Sequence, residues 1–150
     1  MRKKILVETD FLFGLNSRDR LYPIVMEILK KHRDGEIELM ISSAAPLEAS
    51  LVLLSRGFQL DKVVKILGLM SMKLAEYRVD HFIPIRLEIV VKALELRSKY
   101  DDLTFFDSIH IALAAVTGFT LLTSDERMKE VMRAEGITYL DYHGLRLYNS

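Results

Sequence analysis

At 150 residues and 17.3 kDa, half of them hydrophobic, the chain has the size of one ordinary domain and enough apolar side chains to bury a core. Twenty-one basic and twenty-one acidic residues cancel, so the average field gives no push toward nucleic acid and any such contact must come from local patches. The lack of cysteine excludes disulfides, thiolate zinc sites and cysteine nucleophiles, and is compatible with a reducing compartment.

In chain order, KKILVETD reads as a first strand, and residues 17–31 place Leu21, Ile24, Val25, Ile28 and Leu29 at helical spacing. HRDG turns the chain into IELMIS, a second strand. AAPLEASLVLLSRG then reads as a helix, with Pro46 near its first turn and Gly57 as its stop. Residues 60–77 carry Val63, Val64, Ile66, Leu67, Met70 and Leu74 on helical faces, and HFIPI, interrupted by Pro84, is a weak strand fit for a sheet edge. Residues 87–100 form another amphipathic helix, DDLT a break, and FFDSIHIALAAVTG a largely buried helix ending at Gly118. FTLLTS is a strand, SDERMKEVMRAEG a helix with a glycine exit, and ITYLDY a terminal strand.

Strands alternating with helices predict an α/β fold with a parallel sheet covered on both faces. No repeat, low-complexity tract or linker divides residues 1–150, which are expected to form a single domain. The longest weakly polar run, IHIALAAVTGFTLLT, is too short to span a bilayer, and MRKKILVETD has no signal-peptide core. The expectation is a soluble, cytoplasmic protein with no membrane contact.

The acids carry the chemistry. If the first strand continues through both, Glu8 and Asp10 share a face and meet at its carboxyl end, the rim where open α/β sheets bind ligands. Nothing in strand formation favours acids beside ILV, although an exposed strand end would tolerate them. Glu48 falls in the first turn of the helix opened by Pro46, Asp107 opens FFDSIHIALA, and Asp125 follows TLLTS. Each has a structural explanation. Glu48 would gain about 0.3–1 kcal/mol from the helix dipole, Thr104 and Asp107 fit a capping box, and Asp125 fits an N-cap. Gathered at one rim, carboxylates about 5 Å apart would repel by roughly 3 kcal/mol per pair at an effective dielectric near 20. A divalent cation relieves that repulsion. With oxygen donors only, Mg²⁺ or Mn²⁺ fits better than structural zinc.

His110, one turn after Asp107, suggests a D-x-x-H metal pair, but its apolar surroundings make a hydrogen-bonded histidine the first reading. Asp101 and Asp102 read as a turn, and the basic clusters at 2–4 and 30–33 as solvated surface, with phosphate contacts second. Thr123 or Ser124 can hydrogen-bond a ligand carboxylate or a phosphate from the rim, helix capping being the first role. Met70 and Met72, with Leu67, Leu69 and Leu74, make a soft patch: core packing first, a homodimer surface or partner groove second.

With these residues in place, the sequence resembles the PIN-domain nucleases, including toxin ribonucleases of the VapC type. LVETDFLF is similar to that family's opening strand, an aspartate followed by threonine and then Asn, Ser or Asp. EAS in APLEASLVLL is similar to its glutamate-bearing helix, FFDSIHIALAA to its third acidic motif and LLTSDERM to its fourth, in the same order over essentially the whole chain. The resemblance implies a PIN-like three-layer α/β/α sandwich around a mainly parallel sheet of about four or five strands. It also implies a catalytic and metal-binding set of Glu8, Glu48, Asp107 and Asp125, with Asp10 in the third position of the first motif. Water activated by Mg²⁺ or Mn²⁺ would hydrolyse RNA phosphodiesters. The implied partners are RNA, an antitoxin protein and a second copy in a homodimer.

Glu8 departs from the family's aspartate. The extra methylene displaces an oxygen, so either Asp10 becomes the principal ligand or catalysis weakens; Asp107 and Asp10 rank as the safest metal contacts. The same departure prompts an alternative, a PIN-like module that binds RNA or a partner without cutting. A haloacid-dehalogenase phosphatase is disfavoured because it needs an aspartate nucleophile where Glu8 stands. A response-regulator receiver is disfavoured because TLLTSDE offers no lysine.

Overall fold

The structure, a computed structural model, describes residues 2–147. Alternating side chains on the first strand explain the layering. In β1 (Lys3–Val7), Ile5 and Val7 point into one apolar core and Leu6 into another, because successive residues of a strand face opposite sides of the sheet. β2 (Ile37–Ser42) repeats the pattern, with Leu39 and Ile41 on the first side and Met40 on the second. Both faces are therefore covered, and the central strands read as continuous apolar runs rather than alternating ones.

The first core is closed by α1 (Thr9–Phe13), α2 (Tyr22–Arg33), α3 (Ala44–Ser55) and α4 (Leu60–Glu76). The second is closed by α5 (Leu87–Lys99), α6 (Phe105–Thr117) and α7 (Glu126–Glu135). With β3 (Phe82–Ile83), β4 (Thr120–Leu122) and β5 (Tyr139–Leu140), the sheet has five strands in the order β3-β2-β1-β4-β5. Every pairing is parallel. The expected α/β/α sandwich is present, and the Pro84-interrupted strand does lie at an edge. A short helix, α8 (Tyr142–Leu147), follows β5.

Two boundaries differ from the sequence reading in ways that shape the site. β1 stops at Val7 rather than running through Asp10: Glu8 is extended, with φ −121° and ψ −162°, and caps α1, whose first turn contains Asp10. Glu8 and Asp10 are therefore a helix cap and a first-turn residue, not alternate positions of one strand. The next helix starts at Tyr22, not at residue 17. Asn16 accepts from the Arg18 amide at 3.0 Å and Asp19 from the Leu21 amide at 2.9 Å, so side chains close successive turns before Pro23 opens the helix.

Candidate metal centre

The chain leaves β1 toward β2 on one side and returns to β4 on the other, which makes the β1–β4 boundary the switch point of the sheet. Register then dictates the first contacts. Val7 pairs with Leu122, so the next residues, Glu8 and Thr123, leave the sheet side by side. The Thr123 hydroxyl lies 3.4 Å from Glu8 Oε1. Glu8 is only 5% exposed, an unusual position for an acid.

Glu48 reaches the same point from α3. It is the fifth residue of a helix that begins at Ala44, two residues before Pro46, so the helix-dipole explanation expected for it does not apply. Its Oε1 accepts from the Thr9 hydroxyl and lies 2.9 Å from His110 Nε2. His110, on α6, is 0% exposed, and its Nδ1 is 2.8 Å from Ser42 Oγ at the end of β2. Ser42 Oγ also accepts the Ala44 amide at 3.3 Å, and the Glu48 carboxylate beside Nε2 can only accept. The tautomer assigned by this network carries its proton on Nε2 and donates to Glu48. His110 thereby fixes the Glu48 carboxylate, and its Nε2 lies 3.8 Å from Glu8 Oε2.

Asp10 is differently placed. Its Oδ2 accepts from the Ser124 amide at 2.8 Å and the Ser124 hydroxyl at 2.7 Å, and its Oδ1 from the Tyr142 hydroxyl at 2.7 Å. Both oxygens are thus engaged by protein donors. Asp107, half-buried, donates its amide to the Thr104 hydroxyl at 3.1 Å, the expected cap of α6. Asp125, exposed, caps α7 by accepting from the Met128 amide at 2.8 Å.

The electrostatics join these acids into one field. Burial pushes Glu8 well above the usual carboxylate range, and the charge and shared hydrogen bond of Asp10, then the charges of Glu48 and Asp107, push the same way. Burial is also the largest influence on Glu48 and would raise it, but the hydrogen bonds from His110 and Thr9 together hold it below the usual range. Asp107 is raised, first by burial and then by Asp125 and Glu48, against the hydrogen bond from Thr104. Glu8 therefore needs either a proton or a cation to be comfortable.

A cation fits. A carboxylate oxygen of Glu8, one of Glu48 and a ring nitrogen of His110 lie within 4.8 Å of one another. With Nε2–H committed to Glu48, the remaining donors are carboxylate oxygens, a set suited to a hard divalent ion. Of the acids picked from sequence, Glu8 and Glu48 belong to this tight group. Asp10, Asp107 and Asp125 surround it, and Asp10, ranked among the safest contacts, spends its oxygens on Ser124 and Tyr142.

His110 is the residue that sequence reasoning undervalued: it is the hydrogen-bonded histidine expected, but its partner is a site carboxylate. The D-x-x-H spacing on one helical face was the available signal. Ser42 and Tyr142 had none, since a lone hydroxyl carries no pattern until the sheet brings it to an acid, whereas Thr9 stands at the threonine of the resembled opening motif.

A parallel 3-2-1-4-5 sheet with converging carboxylates at its switch point defines a class of acidic-site α/β proteins. This chain belongs to the PIN domain family, whose model matches residues 5–134. PIN domains are in general nucleases and usually use divalent cations. Among solved structures, the chain is similar to PAE2754 from Pyrobaculum aerophilum at 18% identity and TM-score 0.65, covering 99% of this chain and 97% of that one. It is also similar to VapC20 from Mycobacterium tuberculosis, a sarcin-ricin loop cleaving toxin (17%, TM-score 0.63, 89% and 96% covered). A third is VapBC2 from Rickettsia felis bound to promoter DNA (14%, TM-score 0.68, 92% and 98% covered). No curated protein matches the sequence. Among the described residues, no helix is long and apolar enough to cross a membrane.

Proposed function

We propose that this protein is a metal-dependent endoribonuclease, the toxin of a toxin–antitoxin pair, acting in the cytoplasm. The observation that carries the reading is the convergence of Glu8 and Glu48, from two distant elements, on one buried point with His110 behind them. The similarity to a toxin that cleaves an RNA loop, and to a toxin–antitoxin complex on promoter DNA, supports the choice of substrate and partner.

Glu8 and Glu48 would hold Mg²⁺ or Mn²⁺, which supplies an acidified water and neutralises the scissile phosphate. The chain supplies the rest. His110 and Thr9 hold Glu48 in one rotamer, and Ser124 and Tyr142 hold Asp10 beside Glu8, where its charge adds to the cation's well. Asp107, raised and only half-buried, is the carboxylate best placed to take a proton during hydrolysis, with Asp125 beside it keeping its affinity for that proton high. Leu51 of α3 and Val64 and Met72 of α4 are exposed apolar residues that would be covered in a homodimer.

Purified protein is expected to cut RNA with Mg²⁺ or Mn²⁺, and Asp107→Asn to lose roughly 100-fold or more of the rate. Equal rates in Asp107→Asn and wild type would show that the cleavage arises elsewhere. The non-cutting alternative rests on Glu8 itself, whose burial favours the protonated form. RNA binding without turnover under either ion would support it instead.

A further inference from the structure

Lys129 of α7 is a charged side chain outside the acidic centre, yet it is placed like a core residue. Among the described residues it is the only lysine or arginine that is buried, at 5% exposed, and its neighbours Met128, Val131 and Met132 pack into the second core. An ammonium there loses its hydration, and a buried ion pair adds less to stability than well-packed apolar side chains would. What such a pair can supply is a fixed geometry. Burial pulls Lys129 toward the neutral form, but hydrogen bonds to Asp141 and Glu126 outweigh it and hold the group above the ordinary lysine value.

The two carboxylates play different parts. Glu126, 2.8 Å away, is exposed and lies one turn earlier in the same helix, so that pair ties α7 only to itself. Asp141 stands between β5 and α8, and both its oxygens are used: Oδ2 takes Lys129, and Oδ1 accepts from the His143 amide at 2.7 Å, the cap of α8. A helix of six residues is too short to hold itself, so these ties set its direction. The next residue, Tyr142, enters the first core and brings its hydroxyl to 2.7 Å from Asp10 Oδ1. Ser124, just before α7, holds the other oxygen of Asp10 at 2.7 and 2.8 Å. Asp10 is thus gripped from both ends of α7, and it shares a hydrogen bond with Glu8.

We propose that Lys129 is a positioning residue for the metal centre: through Asp141 it sets the start of α8, so that Tyr142 holds the Asp10 carboxylate beside Glu8 in the orientation that favours a divalent cation there. The inference rests on the reading of Glu8 and Glu48 as a cation site and adds to it a control on cation affinity from outside the acidic cluster.

Mn²⁺ binding to the full chain tests this, read from the loss of the free-ion electron paramagnetic resonance signal at a temperature where each variant is folded, so that lowered stability alone leaves the result unchanged. Lys129→Met keeps the apolar stem and removes the charge, and it is expected to weaken Mn²⁺ about tenfold. Asp141→Asn keeps a capping residue at the start of α8, loses the ion pair and should weaken Mn²⁺ by about the same factor, which carries the test where Lys129→Met does not fold. Because the effect passes through Tyr142, adding Lys129→Met to Tyr142→Phe should change affinity by less than about twofold beyond Tyr142→Phe alone. Affinity within about twofold of the parent in the folded variants, or full additivity with Tyr142→Phe, overturns the proposal. In RNA cleavage the variants should lose rate at limiting Mn²⁺, recover it at saturating Mn²⁺ and keep the parent's KM for RNA. Weakened Mn²⁺ binding in the variants with no RNA cleavage by the parent sinks the nuclease and keeps the role of Lys129. Cleavage with the same Mn²⁺ dependence in parent and variants keeps the nuclease and sinks that role.

Discussion

Tyr142 and Glu8 show how single side chains set the character of this site. Tyr142 is 1% exposed and donates to Asp10 Oδ1, so Tyr142→Phe keeps the packing and removes only the donor. Losing a hydrogen bond to a charged, partly buried acceptor costs about 1.5–3 kcal/mol. Urea unfolding of Tyr142→Phe should show that loss, and a difference below about 0.5 kcal/mol would mean that Asp10 is held by Ser124 alone. Glu8 acts in the opposite sense. Its affinity for a proton is higher in the folded protein than in the unfolded chain, so it stabilises the metal-free fold at low pH. That contribution is lost as pH rises from the ordinary carboxylate range through the raised value. Glu48, held low, behaves conversely and loses its contribution as pH falls. The expected outcome is that Glu8→Gln flattens the decline in metal-free Tm as pH rises above the ordinary carboxylate range, and that added Mn²⁺ removes the decline in the parent. A parent Tm that rises steadily over that range without metal would contradict the placement of Glu8.

At the level of elements, most of the chain was legible because its apolar spacing and its punctuation agree. Gly118 and Gly136 end α6 and α7 in the left-handed region, at φ 75° and 69°, as their positions after two helical patterns predicted. Neither meets another atom within 4 Å of an added Cβ, so Gly118→Ala should cost about 1 kcal/mol through backbone conformation alone, read as a lower Tm with unchanged activity. What stayed illegible was short. α1 spans five residues, too few for helical periodicity to register, and it was absorbed into an over-long first strand. The start of α2 was misplaced because the decisive bonds come from Asn16 and Asp19 side chains, whose capping role looks like ordinary loop polarity until the turns are seen. β5, two residues long, survives as a strand because β4 pairs with it.

For the whole molecule, strand order does the gathering. Residues 8, 48 and 110 come from β1's exit, α3 and α6, and they meet because a parallel sheet sends successive connections to opposite faces on either side of its switch point. Four acidic stretches in order made the candidate site readable from sequence at the level of motifs. Which oxygen faces the centre was not, since that depends on Ser42, Ser124 and Tyr142, each supplied by a different element. The most direct test of this account is anomalous diffraction from a crystal soaked in Mn²⁺. It should show a peak about 2 Å from carboxylate oxygens of both Glu8 and Glu48. A peak elsewhere, or no peak at saturating Mn²⁺ with Glu8 still hydrogen bonded to Asp10, would contradict it.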